Sequence, residues 1–408
     1  MQSKRIAIWI GAFAALLPLV AASPAAAEEG TTTDASKSGV TFKSGDNNVT
    51  LGIWGMVRTT WDDKERYDAD TAGTGVGKED GLSGQFKVHK FRIYAQGTIY
   101  KPWLKFKLEA ELADSTGASD NKLTDAYVEF AQAPLATVRA GQWKVPFGLQ
   151  QITPDIRQEF VDRSIADGKF APGRDQGVGL LGVAGDAKFG YQVAVFNGSG
   201  QSAAQEDNGF LYAGRVYYDP FGEYKLSEGA QDNPDKHVLH FGLAYRTGEV
   251  AKGTATTGVF EDPNNESAYG LEAAWKYRRF FALAEYYGMT DEQKNPTAAP
   301  DIDSKGYHAQ FGVFVVPKKV ELALRYSQVD PDTETDDDNV AETRIVCGYH
   351  WKGHNLKFQF DVGQIHYDAG YGDLSSLARR NLPSLGTRLV EDVAYNDRQY
   401  RGQVTFAF

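Results

Sequence analysis

Positively charged side chains recur at alternate positions in several short segments of the sequence. Lys90 and Arg92 form one such pair, and Lys105 and Lys107 form another. Because side chains two residues apart in a β-strand point to the same face of a sheet, each pair predicts two cationic groups on one face. Cationic groups fixed along a narrow passage recover part of the hydration free energy that an anion loses on entering it. The chemistry predicted for these residues is therefore anion attraction, not the making or breaking of bonds.

Motifs for catalysis or metal binding are missing from the sequence. It contains neither a GxSxG nucleophile elbow nor a Walker-type phosphate loop. His350 and His354 are four residues apart, but no HExxH motif surrounds them, and the one cysteine, Cys347, cannot form an intrachain disulfide. We predict no catalytic residue, no metal site and no cofactor. An outer-membrane lipase or protease remains an alternative, which activity of the purified protein on phospholipid or peptide would favour.

The N-terminus predicts an exported protein. Residues 1–27 combine two basic residues, Lys4 and Arg5, with an apolar run and a small-residue cleavage site, which is typical of a secretory signal peptide. Without those two residues, 41 basic side chains remain against 54 acidic ones, a net charge of −13. Such an acidic chain does not predict nucleic-acid binding. Residues 28–48, rich in Thr, Ser and Gly, are predicted to be a flexible leader, and residues 49–408 to be the folded domain.

Period-two alternation runs through most of the predicted folded domain. About sixteen segments alternate apolar with polar or small side chains, from residues 49–61 to 398–408. Connections alternate between short turns and long polar loops, with the link at 219–236 as the exception. The last segment ends on Phe408 with aromatic or aliphatic residues at alternate positions, which resembles the assembly signal of outer-membrane barrels. These features predict an all-β fold, a transmembrane antiparallel β-barrel of about 16 strands in the outer membrane.

Strand parity predicts which charges face the interior of this barrel. With apolar side chains placed toward lipid, thirteen basic and eight acidic side chains point inward, a net charge of +5. The basic set is Arg58, Lys90, Arg92, Lys105, Lys107, Arg139, Arg215, Arg246, Lys276, Arg325, Arg344, Lys357 and Arg401. Charges in a narrow channel act on a passing ion more strongly than exposed loop charges, which salt screens within about 8 Å. We therefore predict a weak to moderate preference for anions.

Much of the remaining acidic charge falls in predicted loops. Residues 330–339 read DPDTETDDDN, without the central Gly and terminal Glu of an EF-hand loop. We interpret this segment as a solvated surface loop, with divalent bridging to lipopolysaccharide as the alternative.

Two segments of the sequence resemble the phosphate-selective porin O and P family. They are GQWKVPFG at residues 141–148 and PGRDQGVG at 172–179, and weaker similarity extends over nearly all of 49–408. The resemblance implies a 16-stranded barrel, commonly a homotrimer, whose third long loop folds into the pore and carries a basic constriction. In this chain that loop is 145–175, with a helical piece predicted around 155–165. Its basic residues, with the one at its entry, are Lys144, Arg157, Arg163, Lys169 and Arg174, and five acidic residues accompany them.

The resemblance and the charge pattern together predict a channel protein rather than an enzyme. The expected partners are inorganic anions such as phosphate, other small hydrophilic solutes and outer-membrane lipid. Two alternatives remain open: a general porin without selectivity, and a barrel that encloses a protein partner such as an electron-transfer protein. The chain has no CxxCH motif of its own, so copurification of a stoichiometric red partner would favour the second.

Overall fold

Most of the described chain lies in β-strands. The structure, a computed structural model, describes residues 32–34, 39–69, 76–113, 122–203, 209–250, 264–292, 300–386 and 392–408. The predicted signal peptide lies outside these residues and stays a prediction. No helix within the described ranges is long and apolar enough to cross a bilayer.

Eighteen strands follow one another along the described residues. The first nine are β1 (Thr32–Asp34), β2 (Val40–Ser44), β3 (Asn47–Ala69), β4 (Val76–Ile99), β5 (Lys101–Glu111), β6 (Lys122–Ala133), β7 (Ala136–Lys144), β8 (Arg174–Ala184) and β9 (Phe189–Phe196). The other nine are β10 (Leu211–Tyr218), β11 (Val238–Val250), β12 (Asn264–Tyr277), β13 (Phe280–Glu292), β14 (Ile302–Val316), β15 (Val320–Asp330), β16 (Val340–His350), β17 (Leu356–Tyr367) and β18 (Tyr395–Ala407). The sixteen segments predicted from alternation correspond to β3–β18, and the prediction is confirmed.

Sixteen of these strands form a closed antiparallel barrel. Each strand from β3 onward pairs with the next one in the chain, and β18 pairs with β3, where Ala407 lies opposite Trp54. The short strands β1 and β2 pair with each other, and β2 pairs with the start of β3, where Val40 lies opposite Leu51. The expectation of a flexible leader over 28–48 does not hold where these strands lie, because the start of β3 offers backbone groups that β2 can bond.

Along the barrel strands, polar side chains are buried and the apolar ones between them are exposed, which is the reverse of a soluble protein. In β17, Lys357, Gln359 and Asp361 are buried, whereas the apolar Phe358 and Phe360 between them are exposed. Polar side chains therefore point into the barrel and apolar ones cover its outer surface. Lipid stabilises such an exterior, and the closed ladder of strands pairs the backbone groups that lipid could not satisfy.

Short turns join the strands at one end of the barrel, and most long loops lie at the other. Arg278 and Arg279 alone connect β12 to β13, and residues 317–319 connect β14 to β15. Arg278 and Lys318 have φ angles of 51° and 61°, the positive values that tight hairpin turns require. The connection from β10 to β11, residues 219–237, is the predicted exception, and we call it the β10–β11 link.

Helical structure in the described chain is confined to short pieces of loops. These pieces are helix α1 (Leu149–Ile152), helix α2 (Ile165–Phe170) and two 3₁₀ turns (Asp155–Arg157 and Ala369–Asp373). The helical piece predicted around 155–165 is confirmed only at its two ends, by the 3₁₀ turn Asp155–Arg157 and the start of α2 at Ile165. Helix α2 begins only after Ser164, whose side-chain oxygen accepts the backbone N–H of Asp167 as an N-cap. Residues 145–173, which connect β7 to β8, are called the internal loop below.

Candidate functional site

The start of the internal loop is bound to an inward-facing carboxylate on a distant strand. The backbone N–H groups of Leu149 and Gln150, at the beginning of α1, donate to the carboxylate of Glu285 on β13 at 2.5 and 2.9 Å. His308 on β14 bonds to the same carboxylate at 3.0 Å. The first N–H groups of a helix have no partner within it, so Glu285 satisfies them and fixes where the loop begins.

Aromatic packing holds another part of the internal loop. Phe147 and Phe170 each stack on Tyr287 of β13, with ring centroids 5.9 and 5.3 Å apart. Ile165 and Ala166 are buried in the same apolar cluster. Burial of each large apolar side chain contributes about 1.5–3 kcal/mol, so this cluster gives the loop a fixed position against the wall.

Three arginines of the barrel wall converge on the middle of the loop. Arg58 contacts Asp162 through two hydrogen bonds of 2.7 and 2.9 Å, and Arg401 adds a third of 2.7 Å. Arg325 donates instead to the backbone carbonyls of Asp162 and Arg163 at 2.8 and 3.2 Å. Burial raises the pKa of the Asp162 carboxyl, but attraction to Arg58 and then Arg401 outweighs it and holds that pKa below its ordinary value. The wall arginines thus fasten the loop.

A second carboxylate of the loop, Asp155, gathers three more of the predicted cations. Lys90 of β4 lies 2.7 Å from one of its oxygens, and Arg163 lies 2.6 Å from the other. Arg92 approaches it at 3.5 Å and pairs more closely with two glutamates of β5, at 2.8 and 2.7 Å. Burial raises the pKa of Asp155, but Lys90 and Arg163 lower it well below its usual range.

Predicted cations on β10 and β16 are buried against carboxylates. Arg215 donates to Glu272 at 2.7 Å. Arg344 lies 2.6 Å from Glu342 and 3.4 Å from Asp361. Both arginines are almost fully buried, so a passing ion would meet a neutralised pair at each position.

The inward face of β5–β8 keeps its cations partly accessible. Lys107 lies 2.5 Å from one oxygen of Asp125, and Arg174 lies 2.7 Å from the other. Arg139 pairs with Glu129 at 2.5 Å. The side chain of Lys107 is about twice as exposed as that of its partner Asp125, at 23% against 12%. This face is therefore where ions in the lumen can meet positive charge.

Lys105 and Arg157 are predicted cations that are exposed and make no ion pair or side-chain hydrogen bond with any residue that the structure describes. Lys105 lies on the same face of β5 as Lys107, is exposed, and has Glu129 opposite it in register. Arg157, in the 3₁₀ turn of the internal loop, is exposed as well. Their charges are not neutralised by a direct contact, so they contribute more to the potential in the lumen than the paired cations do.

Two other cations assigned to the constriction have structural partners. Lys144 donates to the backbone carbonyls of Gln151 and Thr153 at 2.6 and 3.1 Å, so it closes the first part of the internal loop. Lys169 is buried and donates to the carbonyl of Ala378 at 2.6 Å. The structure thus places Lys169 between two loops and not at the surface of a pore.

Several residues that hold the loop were not predicted in that role. Glu285 is one of the eight acidic side chains that strand parity places inward, but nothing near it in the sequence indicates that a helix would begin there. Tyr371 and Leu374, in the long loop before β18, pack into the same apolar cluster as the internal loop. Glu228 of the β10–β11 link bonds to the loop from the other end. The sequence offered one signal of this role: the link is long at a position where a short turn is expected.

The arrangement leaves a lumen bordered by paired charges. Among the described residues, no group of three or more His, Cys, Asp or Glu side chains is placed to hold a metal ion. The accessible polar groups can attract and pass hydrated ions, which needs fixed charge and water rather than a nucleophile or a base.

Sequence comparisons relate the chain to known proteins. A sequence model described as phosphate-selective porin O and P matches residues 60–372. Porin O of Pseudomonas aeruginosa is 26% identical over 310 residues, which cover 64% of this chain and 69% of that protein.

Solved structures share the fold at low sequence identity. OmpT, an outer membrane protein of Vibrio cholerae, has a TM-score of 0.54 and 13% identity over 89% of this chain and 99% of its own. A trimer form of the same protein has a TM-score of 0.53 and 14% identity over 88% and 99% of the two chains. An anion-selective porin from Comamonas acidovorans has a TM-score of 0.54 and 15% identity over 88% and 100%. At these identities the likeness establishes the fold alone.

Proposed function

The chain belongs to the phosphate-selective porin O and P family, and on this premise we propose that its barrel prefers inorganic anions among the small hydrophilic solutes it passes. Membership of the family makes the protein an outer-membrane porin, a channel rather than an enzyme. The ion selectivity of that channel depends on the geometry and charge of its lumen.

One observation carries the proposed selectivity: in several ion pairs, the cation is more accessible than its carboxylate. Lys90 exposes 23% of its side chain and its partner Asp155 only 6%. The same order holds for Lys107 with Asp125. The lysine side chain is therefore the partner that a hydrated ion in the lumen meets more readily, and Coulomb attraction falls with distance. The pair between Arg58 and Asp162 has the opposite order, which limits the expected preference to a moderate one.

The internal loop is proposed to form the narrowest part of the channel. Its contacts with β3, β13, β15 and β18 bind it to the wall, and the partly accessible cations of β5–β8 are left bordering the remaining lumen. On the loop, Arg163 is part of the accessible face, with 19% of its side chain exposed against 6% for its partner Asp155. We place the constriction between this face and β5–β8.

The surroundings of the barrel follow from its exposed face. Apolar side chains such as Phe358 and Phe360 cover the outer surface, so we propose lipid as the main neighbour of that surface. We further propose a homotrimer, in line with the trimer form of the Vibrio cholerae protein, whose fold is the same.

Single-channel recording in a planar bilayer tests the proposed function. Purified wild-type protein in KCl should give discrete conductance steps, and phosphate added to both sides should reduce the chloride current by competing for the same cationic groups. Replacing potassium by a bulkier cation should change the current little. A conductance that follows the cation and ignores phosphate would indicate a general or cation-preferring porin.

A further inference from the structure

The β10–β11 link crosses the short-turn end of the barrel. Its Gln231 donates to the backbone carbonyl of Lys318, in the β14–β15 turn, at 3.2 Å. Its Pro234 carbonyl accepts the backbone N–H of Arg278, in the β12–β13 turn, at 2.7 Å. A link that only joined two neighbouring strands would not reach these turns, so this one covers part of the barrel end.

The middle of the link enters the barrel interior. Tyr224 and Ala230 are buried in an apolar cluster that contains Leu149 of the internal loop and Phe281 of β13. Gly229 lies so close to the wall that a Cβ atom there would come within 2.4 Å of Glu321, and its φ angle is +70°, a value that favours glycine. The link therefore meets the internal loop inside the barrel, and it meets it tightly.

Glu228 joins the link to the internal loop. Its backbone N–H donates to the carbonyl of Arg157 at 2.9 Å. Its carboxylate accepts the side-chain amide of Gln150 at 3.0 Å, the backbone N–H of Glu159 at 2.8 Å and the side-chain amide of Gln310 at 3.1 Å. The residue is buried, with 1% of its surface exposed, so water cannot replace these bonds without a rearrangement.

We propose that the β10–β11 link is an internal strut that sets the width of the pore, with Glu228 as its positioning residue. The wall arginines and Glu285 hold the internal loop from the side, and Glu228 supports it from the short-turn end. Because Gln150 of α1 and the backbone N–H of Glu159 both donate to this one carboxylate, its removal weakens the support of two parts of the loop at once. The inference rests on the proposed function, since a strut affects permeation only if the lumen conducts.

Planar-bilayer recording of Glu228→Ala and Glu228→Gln, beside wild type, tests the strut. The alanine variant removes all three acceptor bonds, and the glutamine variant replaces one acceptor oxygen by a donor that faces other donors. We expect open-channel current noise to rise and mean conductance to change by about twofold in E228A, with a smaller effect in E228Q. Glu223→Gln is the matched control, because Glu223 lies in the same link and is exposed.

The outcomes separate the strut from the proposed function. Absence of channels in the wild type would refute the channel itself, whatever the variants do. Wild-type channels together with unchanged noise, conductance and ion selectivity in folded E228A would overturn the strut. Failure of both Glu228 variants to fold in detergent, while E223Q folds, would also overturn it, because the link would then be needed for assembly and not for pore width.

Discussion

Lys105 gives the sharpest test of how the wall charge acts on permeating ions. Strand parity places it on the same face of β5 as Lys107, and it is exposed and makes no ion pair with a described residue, whereas Lys107 is bonded to Asp125. Reversing Lys107 would place carboxylates against each other and disturb the wall. Replacement of Lys105 by Gln changes the charge with little effect on packing, and replacement by Glu doubles that change but places a second carboxylate opposite Glu129.

The size of the effect follows from Coulomb's law and screening. A unit charge about 8 Å from the ion path changes the energy of a monovalent ion by about 0.5 kcal/mol in water. The change in energy has opposite signs for chloride and potassium, and screening by salt over one Debye length reduces it to about a third. Lys105→Gln should therefore lower the chloride-to-potassium permeability ratio about twofold, and Lys105→Glu about fourfold.

The assay is the zero-current potential in a KCl gradient, measured for wild type and both variants. Lys188→Glu makes the same charge change as Lys105→Glu, but on an exposed turn, and should leave the potential almost unchanged. The shift should shrink as salt concentration rises, because screening becomes stronger. Variants of Lys105 that keep the wild-type potential, or that shift it no more than K188E does, would refute the reasoning.

Three further predictions concern the loop, an outer loop and the membrane-facing wall. Arg58→Ala removes two charge-assisted bonds to Asp162 and should lower the free energy of unfolding by about 1.5–3 kcal/mol in urea titrations from lipid vesicles; equal midpoints and slopes would contradict this. Burial and then Asp330 raise the pKa of Asp338 to about 7, above the pKa of this carboxyl in the unfolded chain, so its ionisation opposes folding. Asp338→Asn should therefore gain stability relative to wild type as pH rises from about 4 to 8. A difference in the free energy of unfolding that does not depend on pH would argue against this. Cys347 is exposed on the apolar outer face, so in vesicles an apolar maleimide should label it and a membrane-impermeant charged one should not; labelling by both would place that face in water.

The strands were predictable because the signal for each one is local. Alternation in β17 can be read from residues 356–367 without knowledge of their partners, and the same holds along the barrel. The pairing of β2 with β3 was not predictable in this way, because Val40–Ser44 are a strand only through the backbone of β3 beside them. Local alternation therefore predicts the barrel strands, but not the short strand that forms by pairing with the edge of β3.

The site was predictable only in part, because its interactions span long stretches of sequence. Parity placed Arg58 and Lys90 on the inner face, but their partners Asp162 and Asp155 lie 104 and 65 residues away in the chain. A sum of inward charges on strands ignores such partners and overstates the free positive charge. The structure changes the expected basis of selectivity from the total charge to the few cations that remain accessible.

The zero-current potential of the unmodified protein in a KCl gradient is the most direct test of the central claim, that accessible cations on β5–β8 make the lumen favour anions. We predict the sign that corresponds to chloride as the more permeant ion. The opposite sign, with potassium more permeant, would contradict the claim even if the barrel conducts.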